Sequence, residues 1–425
     1  LYIRMNKIKE KIISILKTKE IRKKILFSLI ILFVFRLLAA IPVVGIPSDA
    51  LVQLFSGTGF GEILSTVSGG VLETASVVAI GLTPYINASI IFQLLGSVIP
   101  ALEELKKQGP EGRRKISMYT RFATVPLAIL QSFVIYSTLK GFGLIGDLST
   151  VELITMSATL TGGSMIMMWL SELVSEQGLG GGSSYLIFLG IVAGIPGSIR
   201  TNIAIMDDFQ KIVFFGIALI LIVAVVFVTQ AERRVTIQYS RRVRAGGSLD
   251  NYIPLKLTQS GVMPVIFAMS LLSFPQLVAK FLVSKKYSDS VTYWSEKVLE
   301  WLDNPYISNG VTFIFIIAFS FFYLTVVFNT QELAENLQKQ GAFIQGIRPG
   351  KTTASYLQNV AFRLTAVGAL FLALISILPN IFIATGLMTS SVISGTGLLI
   401  MVGVLLDIKR QVESMMVSRS YDKYL

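Results

Sequence analysis

Gly346-Ile347-Arg348-Pro349-Gly350-Lys351-Thr352 has the residue types of a phosphate-binding loop. In such a loop glycines let backbone N–H groups close around phosphate oxygens, and a lysine supplies the opposing charge, at the spacing G-x-x-x-x-G-K-[ST]. Here Gly346 stands one residue too near Gly350-Lys351-Thr352, Gln345 occupies the place of the first glycine, and the surrounding loop is extended with no buried strand expected before it. Nucleotide chemistry is not expected from it. Asn87-Ala88-Ser89 matches a glycosylation acceptor, but it lies inside an apolar span that no transferase reaches.

Missing residue types narrow the chemistry further. Cys 0 and His 0 exclude disulfides, thiol nucleophiles, Cys or His metal sites and Ser-His relays. No catalytic residue, metal or cofactor is expected. An ionised group at mid-bilayer costs on the order of 3 kcal/mol, so ion- and proton-coupled machines display theirs. This chain keeps only Arg36 inside a span, with Glu172, Glu232 and Asp407 near cytoplasmic ends and Glu73 at a helix start. No proton relay can be built from them, which weighs against a secondary transporter. Without His or a convincing aspartate pair, an intramembrane protease is remote.

The elements that hold the remaining residues are membrane spans. The chain is 53% hydrophobic and 15% charged, with a mean hydropathy of +0.69. Apolar runs near the required ~20 residues fall at about 25–42, 74–99, 118–138, 153–174, 183–198, 211–229, 260–283, 310–328, 360–378 and 391–406. Ten helices put both termini on one side. Of the 37 Lys and Arg, 29 lie on that side, seven on the other and Arg36 within the first span. The positive-inside bias makes the first side cytoplasmic. The net charge of +12 therefore reports topology first. The basic run Lys7 to Lys24 reads as an amphipathic helix on the anionic leaflet.

Two segments are irregular. Ser56 to Gly70 is too short to cross; a helix over 60–68 would be roughly 13 Å long between glycine hinges. Irregular backbone at membrane depth is tolerated only where protein or a water-filled cavity surrounds it, so this segment predicts a cavity on the non-cytoplasmic face. In the next span Pro84 removes a donor and is expected to kink the helix, and Asn87 and Gln93 need partners inside the bundle. Leu82, Ile86 and Ile90 share a face. Gly81, Gly190, Gly194, Gly368 and Gly403 read as close helix packing.

Together these stretches resemble the SecY family, the central subunit of the bacterial protein-conducting channel. The resemblance rests on Ser68-Gly69-Gly70, Gly81 to Gln93, Gly112 to Ser117, Gly178 to Ser183, Pro254-Leu255-Lys256, Gly261 to Ala268 and Gly341 to Gly350. It implies an all-α membrane fold of ten transmembrane helices in two inverted five-helix halves, 1–200 and 201–425, around an hourglass pore, with cytoplasmic loops 231–258 and 331–359. It also implies a plug at about 60–70 with Phe60, Glu62, Ile63, Leu64 and Val67, and a pore ring of Leu82, Ile86, Ile187, Ile266 and Ile400. The second and third helices would face the seventh and eighth across a lateral gate with Asn87, Gln93, Gln131 and Ser270. Gly181 stands where the family usually has Asn, and Ser183 where it commonly has an apolar residue.

The implied function is translocation of unfolded secretory polypeptides and lateral release of apolar segments into lipid, by a multi-pass protein of the bacterial cytoplasmic (inner) membrane. The basic loops favour docking of a partner, and the resemblance implies that the partners are the ATPase SecA and the ribosome, held through Arg241, Arg242, Arg244, Arg348 and Lys351. Further implied partners are the small membrane subunits SecE and SecG, secretory and membrane protein substrates, and anionic lipids.

Overall fold

The computed structural model describes residues 18–43, 76–141, 145–205, 207–239, 252–259, 261–285, 288–384 and 395–422. In chain order these form α1 (Lys19–Ala40), α2 (Thr83–Val98), α3 (Pro100–Lys107), α4 (Pro110–Gly141), α5 (Thr150–Gln177), α6 (Gly182–Ile205), α7 (Asp208–Gln230), β1 (Glu232–Tyr239), β2 (Tyr252–Lys256), α8 (Met263–Lys285), α9 (Asp289–Asp303), α10 (Pro305–Val327), α11 (Thr330–Lys339), β3 (Ala342–Ile344), α12 (Lys351–Ala384) and α13 (Gly395–Asp422).

Each of the ten apolar segments contains a helix. Among the described residues six helices are long and apolar enough to cross a membrane, or seven if α2 and α3, bent by 97°, form one broken span. The protein is an all-α membrane protein with a small peripheral sheet. Several helices open on proline, whose missing N–H costs nothing in the first turn. Pro84 is one of these: it sits at the start of α2, so the kink expected there is instead a helix beginning, and 77–82 are turn. The N-terminus of α5 is set by a capping box: Glu152 N donates to Ser149 Oγ at 3.4 Å, and Ser149 N donates to Glu152 Oε2 at 2.8 Å. Segment 183–198 is the apolar part of the 24-residue α6, with Pro196 inside.

The chain divides into two compact units. The first comprises Leu1–Ile205, Met269–Ser308 and Val392–Leu425. In it α2 packs on α4, α4 on α5, α5 on α1 and α6, and α6 on α13. The second comprises Met206–Ala268 and Asn309–Ser391. It carries a three-stranded antiparallel sheet in the order β2-β1-β3, with Arg234 opposite Pro254 and Gln238 opposite Phe343. Val235, Leu255, Leu337, Ala342, Ile344, Leu357 and Val360 form the buried core beneath it.

Two loop expectations are corrected by this sheet. The stretches 231–258 and 331–359 contain strands and helix α11 rather than extended loop alone. A strand with Ala342 and Ile344 buried does precede Gly346; β-alternation over three residues is too short to stand out in the sequence. Its partner is a surface antiparallel strand, and the glycine spacing remains one short of a phosphate loop. Of the glycines read as packing, Gly368 fits, since a Cβ there would lie 2.3 Å from the Leu257 carbonyl oxygen. Gly194 does not: nothing lies within 4 Å.

Candidate functional site

The turn before α2 positions the first two pore-ring candidates. Val77 N donates to the Ile41 carbonyl at 2.9 Å, Ala79 N to Ser76 at 2.8 Å and Gly81 N to Val78 at 2.8 Å. Gly81 has φ +61°, a left-handed backbone that strains a side-chain-bearing residue. Its carbonyl accepts a buried hydrogen bond from Ser164 Oγ on α5 at 3.0 Å. Beside Ser164, Gly163 lets α5 approach so closely that a Cβ would lie 1.9 Å from the Val77 carbonyl oxygen. Leu82 is thereby fixed at the mouth of α2, where its carbonyl accepts from Ile86 N at 2.9 Å. Leu82, Ile86 and Ile90 are all buried.

Ile187 and Ile400 lie on α6 and α13, which pack together. A glycine-rich connection tethers both helices to α1. Leu179 N donates to Ser28 Oγ at 3.1 Å, Tyr185 Oη donates to the Ser28 carbonyl at 3.2 Å, and Gly180 N donates to Gln411 Oε1 on α13. Gly182 permits the close turn, since a Cβ there would meet the Ser171 carbonyl oxygen at 1.6 Å. Gly181 is exposed with open space around its Cβ position, and Ser183 is half-buried. Ile187 and Ile400 are buried in the first unit, and Ile266 is buried in α8 within the second. The plug candidates Phe60, Glu62, Ile63, Leu64 and Val67 lie outside the described residues.

The gate candidates all belong to the first unit. Asn87 is buried on α2, Gln93 is half-buried a turn and a half further on, and Gln131 on α4 and Ser270 on α8 are buried. Gln131 Nε2 and Ser270 Oγ have no hydrogen-bond partner among the described residues. Two groups of the same kind escaped the sequence reading: Thr83 Oγ1, and both amide atoms of the fully buried Gln276, also lack partners there. The signal for Gln276 was available, since an amide inside an apolar span is what marked Asn87 and Gln93. Arg121, whose role was likewise not foreseen, approaches Glu172 to 2.6 Å as an ion pair, although Glu172 Oε1 does not reach hydrogen-bond geometry.

Of the docking candidates, Arg348 is exposed in the turn between β3 and α12, and Lys351 is exposed as the first residue of α12. Gly346 (φ +79°) and Gly350 (φ +95°) shape that turn. Thr353 Oγ1 pins it by donating to the Arg348 carbonyl at 2.9 Å, and Ile347 packs against the core below. Arg348 is thus presented from a fixed backbone. On the sheet, Arg234 lies 4.7 Å from the centre of the Tyr252 ring and pairs with Glu232 at 3.0 Å. Arg241, Arg242 and Arg244 lie outside the described residues. The described residues hold no cluster of acidic side chains able to bind a metal ion.

A family model named SecY matches residues 76–409. The chain is 40% identical over 440 residues to the protein translocase subunit SecY of Mycobacterium bovis, covering 97% of this chain and 99% of that one. It is 38% identical over 430 residues to the same subunit of Bacillus licheniformis, covering 97% and 98%. Its fold is similar to that of a protein-conducting channel of known structure, with a TM-score of 0.68, 19% identity and 93% of each chain covered. It is also similar to Sec61 in the canine ribosome-channel complex from the endoplasmic reticulum, with a TM-score of 0.66, 19% identity and 93% of each chain covered. A match over most of the chain, with 40% identity along nearly its whole length, places this protein in the SecY family.

Proposed function

We propose that this chain is the channel through which unfolded secretory polypeptides cross the bacterial cytoplasmic membrane, and from which apolar segments pass sideways into lipid. The observation that carries this reading is the burial of Leu82, Ile86, Ile187, Ile266 and Ile400, each at most 5% exposed, while the same helices turn other apolar side chains outward, as Ile91, Leu95, Val192 and Leu405 do. Branched aliphatic side chains around a narrow pore repel water and so resist ions, yet they make no directional bonds and part around an extended chain. No chemistry is required of the channel itself, so the driving energy comes from partners. The names and titles of its relatives, a translocase subunit and a protein-conducting channel, support the same reading.

On this reading the ten helices form two inverted halves, 1–200 and 201–425, both termini are cytoplasmic, and residues 60–70 plug the pore from the outer side. Asn87, Gln93, Gln131 and Ser270 line the lateral gate, where buried polar groups set how apolar a segment must be to leave. Arg241, Arg242, Arg244, Arg348 and Lys351 dock SecA and the ribosome, SecE and SecG flank the bundle, and the basic N-terminus meets anionic lipid. The test is a photo-crosslinking residue at Ile86 or Ile187 in membranes carrying a stalled secretory chain. Adducts with that chain are expected from both positions and not from Ile91. Adducts from Ile91 alone would reject the ring.

A further inference from the structure

Helix α9 joins two apolar helices, and its sequence DSVTYWSEKVLEWLD is sharply two-faced. Trp294, Val298 and Trp301 fall on one helical stripe at i, i+4 and i+7, with Val291 and Leu302 beside it. Asp289, Glu296 and Glu300 fall on the opposite side and are exposed. Among its described residues only Ser295 is buried, at 7% exposed, whereas the aromatic stripe is open: Trp294 is 63% exposed and Trp301 55%. Two of the three tryptophans of the chain therefore project from one 15-residue helix.

Connectivity decides what this stripe meets. Only Asn304 separates α9 from α10. Asn304 starts the new helix, its Oδ1 accepting from Tyr306 N at 3.0 Å and its carbonyl from Ser308 N at 2.9 Å. The 23 residues of α10 make about 34 Å of helix against a hydrocarbon core of about 30 Å, so its first turn lies at the membrane boundary. There Tyr306 is 81% exposed and Ile307 40%. At its other end α9 follows Lys285, the last residue of the apolar α8, by three residues. A helix about 22 Å long, tied at both ends to spans, cannot leave the bilayer surface.

We propose that α9 is an interfacial anchor, with Trp294 and Trp301 seated at the glycerol-to-acyl boundary of the leaflet that meets the start of α10. Indole rings prefer that depth because the ring is apolar and its N–H finds acceptors among the lipid esters. Recognition is by the boundary and not by headgroup charge: the exposed acids Asp289, Glu296 and Glu300 outnumber Lys297, which lies 5.8 Å from the Tyr293 ring, so an anionic headgroup gains nothing. Interfacial helices of this kind sit about 5–10 Å into the boundary. The inference needs only that α8 and α10 span a membrane, whatever the pore conducts.

The test uses the full chain carrying Trp169→Phe, reconstituted in phosphatidylcholine vesicles, so that Trp294 and Trp301 are the only emitters. Lipid brominated high on the acyl chain should quench their emission about twofold more than lipid brominated near the methyl end, and aqueous iodide should quench weakly. Exchanging part of the phosphatidylcholine for phosphatidylglycerol should leave those ratios unchanged. Strong iodide quenching without bromolipid quenching would put the helix in water, and weak quenching by both would mean that protein covers it. A response to phosphatidylglycerol would make the recognition electrostatic. Each of these overturns the proposal. Should Trp169→Phe not fold, a nitroxide on Trp294→Cys, unique because the chain has Cys 0, reads the same depth from collisions with oxygen and with an aqueous nickel chelate.

Discussion

Gly162 and Gly163 are neighbours in α5, yet they meet opposite surroundings. A Cβ on Gly163 would lie 1.9 Å from the Val77 carbonyl oxygen and 2.7 Å from its carbon; one on Gly162 would meet nothing within 4 Å. Non-bonded heavy atoms settle at about 3.5–4 Å, so Gly163→Ala must drive α5 and the turn apart by on the order of 1 Å. Overpacking of this kind costs about 1–3 kcal/mol. It also stretches the 3.0 Å bond from Ser164 Oγ to the Gly81 carbonyl, the contact that holds the turn leading to Leu82. With an unfolding entropy of about 2.1 cal/mol/K per residue, a chain of 425 residues shifts by about 1 °C per kcal/mol, so the thermal midpoint of detergent-solubilised protein should fall by about 1–3 °C. Gly162→Ala, which replaces a poor helix former without a clash, should hold the midpoint or raise it. In planar bilayers Gly163→Ala should also pass more ions through the resting channel, because Leu82 is displaced, whereas Gly162→Ala should stay tight. Equal midpoints and equal conductance in the two variants would refute the reasoning.

Three further outcomes are expected. Arg348→Glu should abolish or strongly slow partner-driven translocation while leaving the thermal midpoint unchanged, since Arg348 is exposed and its turn is held through backbone atoms; both quantities are measured on the same preparation. Asn87→Leu should shift the hydrophobicity a signal segment needs for lateral release, read from a series of graded leucine content in an insertion assay, and an unshifted series would remove Asn87 from the gate. Gly368→Ala, whose Cβ would lie 2.3 Å from the Leu257 carbonyl oxygen, should lower the thermal midpoint by about 1–3 kcal/mol worth of stability, whereas Gly194→Ala should be neutral.

The membrane-crossing elements were legible because burial in lipid demands about 20 apolar residues, a signal that survives any tertiary detail. The helix of each apolar segment lies where hydropathy put it, and the ring candidates carried by the family resemblance are buried. Short elements were not legible. Three residues of β3 cannot establish an alternation, and its pairing with β1 joins Ala342 to Tyr239 across a gap of about one hundred residues. Nor can sequence separate Gly162 from Gly163, because only the approach of a distant carbonyl distinguishes them. The polar groups were legible by type and not by partner: Gln131 and Gln276 could be seen as amides in apolar surroundings, but the ion pair of Arg121 with Glu172 depends on how α4 and α5 pack.

Pro84 shows how a misread local feature still marks the segment that positions Leu82. Read as a kink, it places a bend within a continuous helix; as a residue of the first turn of α2 it leaves only 16 helical residues, about 24 Å, too few for a core of about 30 Å. The turn 77–82 makes up the missing length, and in a helix that crosses a membrane it is irregular backbone at membrane depth. Such backbone survives only if its polar groups are satisfied inside the protein. Four of them are: Val77 N finds Ile41, Ala79 N finds Ser76, Gly81 N finds Val78, and the Gly81 carbonyl accepts from Ser164. Leu82 therefore stands where hydrogen bonds from Ile41, just past the end of α1, and from Ser164 on α5 put it, and not where apolar contact alone would draw it. On the proposed reading, a constriction made of side chains that bind nothing directionally must borrow its shape from the backbone beneath, and Gly163, Ser164 and Gly81 are the residues that would supply it.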